Sequence, residues 1–152
     1  MAVQTIYELK LIQRNRKGQE LMREADWVLV VDRDPKAIED WRTCLAIQGL
    51  KVESAASVKE AAKKLKVLQC GCLVIDVDLP EMKGYEAVPI LKAIQPLAKV
   101  IMTARENSKE LESMVREQDV FYYHIKSFSP SELASAVTDA LQASRKAQSE
   151  AN

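Results

Sequence analysis

The sequence predicts an α/β fold in which a doubly wound parallel sheet carries helices on both faces. Three observations lead to it. Short, mostly apolar runs rich in Val, Ile and Leu recur along the chain, longer stretches with helical spacing lie between them, and several of those stretches open on helix-start signals. A run that is apolar without strict alternation suits a parallel strand covered on both faces. Such runs occur at Trp27–Val31, Lys51–Ala55, Cys72–Asp76, Ala98–Met102 and Val120–Ile125.

The helical stretches are bounded by recognisable chemistry. Asp34 followed by Pro35 offers an N-cap side chain and a residue whose fixed φ suits the first helical position. Gly49 stands where that helix should end, at the place where a left-handed residue closes the last turn. Ser57 to Glu60 and Asn107 to Glu110 match or resemble a capping box, and Ser129-Pro130-Ser131-Glu132 combines a cap with a helix-starting proline. The repeat assigns residues 26–144 to one domain and leaves 1–25 as an N-terminal extension of open type. Thr5 to Ile12 alternates like a strand, while its neighbours are good helix formers. After Leu141 the sequence turns polar, so residues 145–152 are expected to fray.

Composition narrows the function classes. With 152 residues the chain has room for one compact domain, and 22 basic residues against 22 acidic ones leave no global attraction for nucleic acid or an anionic membrane. Arg14, Arg16 and Lys17 form a basic group without aromatic partners, which is a weak basis for nucleic-acid binding. The longest apolar run is far too short to span a membrane, and charges interrupt the N-terminus before a signal sequence can form, so the expected location is the cytoplasm. Cys44, Cys70 and Cys72 lack metal or redox spacing and read as reduced thiols in core positions. Trp27 and Trp41 read as hydrophobic packing residues, and the single histidine, His124, as a strand or surface residue.

In open α/β sheets the sites lie at the carboxyl ends of the strands. That rule selects Asp32-Arg33-Asp34, Asp76-Val77-Asp78, Thr103-Ala104-Arg105 and Lys126. A strand-end carboxylate can attack a phosphoryl group when the charge on the transferred oxygens is neutralised nearby, and Lys126 and Thr103 supply an ammonium and a hydroxyl.

Asp76 is followed by Val77-Asp78-Leu79-Pro80-Glu81-Met82-Lys83-Gly84, and here the sequence resembles the receiver domain of bacterial two-component response regulators, single-domain and CheY-like. The resemblance runs from residue 27 to about 141, through Val28 to Asp32, Ile101 to Ala104 and Tyr123 to Phe128. It implies a flavodoxin-like sheet of order 2-1-3-4-5. It also implies Asp76 as phospho-acceptor, Lys126 and Thr103 as its helpers, and Mg²⁺ held by Asp32, Asp76 and the backbone carbonyl of Asp78. Thr103 and Tyr123 would form the switch. The implied partners are a histidine kinase or phosphotransfer protein and a downstream protein read through the face of helix 4, strand 5 and helix 5, with no direct DNA or membrane contact. The domain would not be an enzyme beyond catalysing its own phosphotransfer and dephosphorylation.

Three departures mark the pocket as atypical. Receivers usually present two adjacent acids after the first strand, and here the second is Arg33. At an effective dielectric near 20, a unit charge about 4 Å away is worth roughly 4 kcal/mol before solvation, so one reversed charge is enough to weaken or abolish a Mg²⁺ site. Arg33 therefore points to solvent, replaces the metal, or marks a receiver no longer phosphorylated. Asp34 reads as the N-cap. Ser127 stands where the family has a proline after the lysine, commonly in a cis bond; a cis bond before Ser would cost about 2.5 to 4 kcal/mol. Asp78 and Arg105 either pair across the pocket mouth or stand there as two solvated rim charges.

The alternative function is a pseudo-receiver that binds partners independently of phosphorylation. Asp76-Val77-Asp78 also has the outward form of the nucleophile pair of haloacid-dehalogenase-type phosphatases. That pair should lie near the first strand and precede Thr or Val, whereas Leu79 follows here.

Overall fold

A computed structural model of the chain describes residues 27–126 and 130–151. The expectations for residues 1–25, for Ser127 and for the Ser129 cap lie outside the described residues. Within them, five strands alternate with five helices: β1 Trp27–Val31, α1 Pro35–Ile47, β2 Lys51–Ala55, α2 Val58–Leu65, β3 Cys70–Asp76, α3 Gly84–Ile94, β4 Lys99–Ala104, α4 Lys109–Arg116, β5 Tyr122–Ile125 and α5 Pro130–Ala151. The strands form one parallel sheet in the order β2-β1-β3-β4-β5, as expected for the doubly wound class.

Alternation along the strands divides the core between two layers. Leu29, Val31, Leu73, Ile75, Val100 and Met102 face α2, α3 and α4, where Ala61, Leu65, Leu91 and Val115 complete the layer. Val28, Val30, Cys72, Val74 and Ile101 face α1 and α5 and pack against Trp41, Leu45, Leu133 and Val137. The second phase leads to the chemistry. Asp32 follows Val30 by two residues, Asp76 follows Val74, Thr103 follows Ile101 and Lys126 follows the buried His124. One alternation phase thus brings four strand ends to the same side of the sheet.

The caps of α1 and α2 behave as the sequence indicates, whereas that of α4 falls one residue later, on Ser108 rather than Asn107, whose side chain binds the Tyr123 hydroxyl instead. Asp34 accepts from the Lys36 N–H at 3.0 Å, Ser57 from Glu60 at 3.2 Å and Ser108 from Leu111 at 3.0 Å. Glu60 reaches back to the N–H of Ala56, at 2.9 Å, which closes that box one residue early. Gly49 takes φ 76°, the left-handed value that ends α1.

Several boundaries differ from the sequence reading. β3 begins at Cys70, which registers against Trp27 across an irregularity in the ladder and donates its N–H to the buried Gln95 side chain at 2.8 Å. β4 runs on to Ala104, since Thr103 and Ala104 register against His124 and Ile125, and β5 starts at Tyr122, which registers against Ile101. The frayed end expected after Leu141 is instead ten more helical residues, to Ala151. Good helix formers carry it on, and the buried Ser144 hydroxyl donates to Leu97 O at 2.9 Å, fastening the extension to the loop before β4. Cys70 and Cys72 are buried free thiols as expected, whereas Cys44 is only half-buried and lies against the Pro130 carbonyl. Among the described residues no helix is long and apolar enough to cross a membrane.

Gly84, the first residue of α3, sits against the strand that ends in Asp76. A Cβ there would lie 2.1 Å from the Asp76 carbonyl oxygen, and backbone cannot yield as a flexible side chain can. Gly84→Ala is therefore expected to destabilise the domain by about 2 to 3 kcal/mol. Urea unfolding checks this: the midpoint should fall with little change in slope, and an unchanged midpoint would show that the contact is not enforced.

Candidate functional site

The four strand ends converge on a small cleft. Asp32 closes β1 and is 2% exposed; Asp76 closes β3 and is 6% exposed. Two carboxylates this buried repel each other and lose hydration, so they need a cation. Lys126, just past β5, supplies it: Nζ lies 2.7 Å from Asp32 Oδ2 and 2.8 Å from Asp76 Oδ1. The backbone of that residue is fixed by donation from Lys126 N to Ala104 O at 2.8 Å. Thr103, on β4 between β3 and β5, places its hydroxyl 3.4 Å from Asp76 Oδ1.

Backbone amides take up the remaining carboxylate oxygens. Asp34 N donates to Asp32 Oδ1 at 2.9 Å, and Asp78 N donates to Asp76 Oδ2 at 3.0 Å. Asp34 keeps its own side chain for the helix cap. Burial pushes the Asp76 carboxyl above the ordinary carboxylate range and the charge of Asp32 adds to that, while the hydrogen bond from Lys126 works the other way. Burial alone would lower Lys126, but its hydrogen bonds to Asp32 and Asp76 outweigh it and hold the ammonium above the ordinary lysine value.

The cleft encloses about 140 Å³ and is lined by Asp32, Arg33, Asp34, Asp76, Asp78, Arg105 and Lys126. Arg33 is exposed at its rim. It makes no hydrogen bond or ion pair among the described residues, and its charge acts on Asp78 and Lys83. Of the outcomes open for Arg33, the guanidinium is thus a rim charge, and the place between the two carboxylates belongs to the ammonium of Lys126. Arg105 stands on the same rim, likewise exposed and without a bonded partner among the described residues. The pairing of Asp78 with Arg105 is not what forms: Asp78 binds Lys83 at 2.8 Å. The loop after β3 turns back on itself as an antiparallel bridge between those two residues, which brings Lys83 nearer than Arg105. The Lys83 hydrogen bond holds the Asp78 carboxyl below its usual range.

Two further residues escaped the sequence reading. Lys83 lay inside the quoted motif without a role; its signal was a cation five positions after an acid, across Leu79-Pro80. Asn107 accepts the Tyr123 hydroxyl at 2.9 Å and ties that half-buried ring to the loop before α4. His124 has no place in the cleft. Rather than lying at the surface, it is buried edge-on to Trp41 at 5.8 Å between ring centroids, neither ring nitrogen has a hydrogen-bond partner among the described residues, and burial holds its pKa down.

Mg²⁺ asks for a near-octahedral set of oxygen ligands, usually with carboxylates among them. Here the Asp32 and Asp76 oxygens already accept from Lys126 or a backbone amide, and Arg33 adds a positive charge at the rim. Among the described residues no three His, Cys, Asp or Glu side chains come together to hold a metal ion. The donor set does not fit a dedicated divalent site.

Residues 28–138 match the family model of the response regulator receiver domain. The chain is similar to the response regulator protein TmoT of Ectopseudomonas mendocina, 24% identical over 126 residues that cover 82% of this chain and 57% of that one. It is also similar to TodT of Pseudomonas putida, 25% identical, covering 78% of this chain and 52% of TodT. The chain thus spans about half the length of these curated relatives. Among solved structures it resembles a CheY-like receiver domain protein from Methanospirillum hungatei, with a TM-score of 0.73, 25% identity, and coverage of 80% of this chain and 97% of that one.

A carboxyl whose folded pKa lies above its unfolded value binds its proton more tightly when folded. Ionisation of Asp76 therefore works against folding as the pH rises above the ordinary carboxylate value of 3.8. Asp76→Asn removes that penalty and is expected to stabilise the domain by about 1 kcal/mol at pH 7, with a gain that shrinks as the pH falls through the acid range. Urea titrations across that range measure it; a variant no more stable than the parent at pH 7 would contradict the stated electrostatics.

Proposed function

The chain belongs to the family of response regulator receiver domains, and on that premise we propose that Asp76 accepts a phosphoryl group from a histidine kinase or phosphotransfer protein. The observation that carries the reading is the Asp76 carboxylate at the mouth of the cleft, with Lys126 Nζ at 2.8 Å and the Thr103 hydroxyl at 3.4 Å. In the transfer an Asp76 oxygen forms a bond to phosphorus while the bond from phosphorus to the donor breaks, and the donor leaves with the electron pair. Asp76 gives up its own charge and gains a doubly charged phosphoryl group. Lys126 moves from the carboxylate to the phosphoryl oxygens, and Thr103 donates its hydroxyl to another of them.

Receiver domains typically bind Mg²⁺ at an acidic pocket; here only Asp32, Asp76 and the Asp78 carbonyl are candidates for it, and Arg33 weakens their hold. The switch proceeds from Thr103 to Tyr123: when Thr103 turns toward the phosphoryl group, the Tyr123 ring leaves Asn107 and moves inward. That changes the surface of α4, β5 and α5, where Met114 and Phe121 are exposed. A downstream protein that binds the two states unequally reads the signal. The chain is not proposed as an enzyme acting on small phosphate esters, nor as a DNA-binding or membrane protein; its place is the cytoplasm, where a kinase would meet it.

Incubation with acetyl phosphate and Mg²⁺ tests the acceptor. Intact-mass analysis is expected to show one phosphoryl group added, none on Asp76→Asn, and roughly 100-fold slower labelling of Lys126→Ala, the usual effect of losing one charged donor. No adduct under any condition, or an adduct that survives Asp76→Asn, would overturn the proposal.

A further inference from the structure

We propose that the phosphoryl site works without a divalent cation, because Arg33 and Arg105 grip the phosphoryl oxygens where other chemistry would use a metal. The inference rests on Asp76 being the acceptor. Its grounds are the charge arrangement of the cleft. Asp34 is committed to the cap of α1, at 3.0 Å from Lys36 N, and Asp78 to Lys83 at 2.8 Å. Lys126 is shared between Asp32 and Asp76. What remains at the mouth is a pair of guanidiniums, one after β1 and one after β4, both lining the cleft and neither bonded among the described residues.

Counting Lys83, the cleft sets four cations against four carboxylates, so it offers no net attraction to a divalent cation. A phosphoryl group changes the balance in the opposite sense. Transfer replaces one carboxylate charge by two charges on three equivalent oxygens, and the added negative charge needs donors. A guanidinium presents a planar fork that matches such oxygens in pairs, and it keeps its charge at any working pH. Lys126 is already inside, and the two arginines close from opposite rims. Both are exposed in the unphosphorylated cleft, so they reach the group without repacking the core.

The balance of the step is unchanged from that given above. With acetyl phosphate, an Asp76 oxygen forms the bond to phosphorus, the bond to the acetate oxygen breaks, and acetate departs with the electron pair. No proton or metal enters.

The test compares labelling by acetyl phosphate in excess EDTA and in Mg²⁺, read by intact mass. The wild-type chain is expected to label at rates within about threefold of each other. Arg33→Gln and Arg105→Gln, both at exposed positions, should each slow labelling in EDTA by roughly tenfold, the usual weight of one charged hydrogen bond. Arg33→Asp restores a third acid and should make labelling depend on Mg²⁺. Titration of Mn²⁺ followed by electron paramagnetic resonance gives a second readout, with binding expected in Arg33→Asp and none in the parent at the same concentrations. Wild-type labelling that appears only with Mg²⁺ would overturn this inference while leaving Asp76 as acceptor. Arginine variants that label like the parent in EDTA would also overturn it, and no labelling at all would remove both readings.

Discussion

Everything at this site depends on one ammonium group held between two buried carboxylates. Without Lys126, Asp32 and Asp76 would face each other with their hydration largely removed, and removing one partner from such an arrangement typically costs about 3 to 5 kcal/mol. The arrangement is possible only because of strand order. β1 lies beside β3, and β5 lies beyond β4, so a long side chain leaving the end of β5 can reach across Thr103 to both acids. The sheet is thus a frame for one reach.

The same pocket is strained electrostatically and held sterically. Asp76 stays above its ordinary carboxylate pKa through burial, which makes an ionised Asp76 costly in the resting domain. The proposed phosphorylation would convert that carboxylate into an acyl phosphate and add negative charge to a cleft that Arg33 and Arg105 also line. The loop that shapes the entrance is fixed at both ends: Asp78 N binds the acceptor carboxylate and Gly84 N binds Val77 O at 2.8 Å. Glu81, between them, accepts from the first backbone amides of α2, at 3.3 Å from Val58 N and 3.1 Å from Lys59 N. A helix N-terminus carries partial positive charge, so this acid pins the loop to the far side of the cleft.

Much of this was legible before any coordinates. Asp32, Asp76, Thr103 and Lys126 were picked out by the strand-end rule, and all four meet, because apolar runs of parallel type leave little freedom in where their polar ends fall. The cap at Asp34 and the left-handed turn at Gly49 were equally plain, being local chemistry. What the sequence did not disclose involves contacts between segments. The partner of Asp78 depends on how the loop after β3 folds back, which no propensity encodes, and so Lys83 rather than Arg105 binds it. The continuation of α5 past Leu141 depends on Ser144 meeting Leu97, 47 residues earlier in the sequence. Asn107 as the anchor of Tyr123 is a contact of the same kind.

The central claim is that burial raises Asp76 while Lys126 restrains it. A carbon-13 nuclear magnetic resonance titration of the Asp76 carboxyl carbon tests this directly, in the parent chain and in Lys126→Met. The account predicts a midpoint above the ordinary value of 3.8 in the parent and a further rise when the ammonium is removed. A parent midpoint at or below that value, or one that stays in place when Lys126 is replaced, would contradict it.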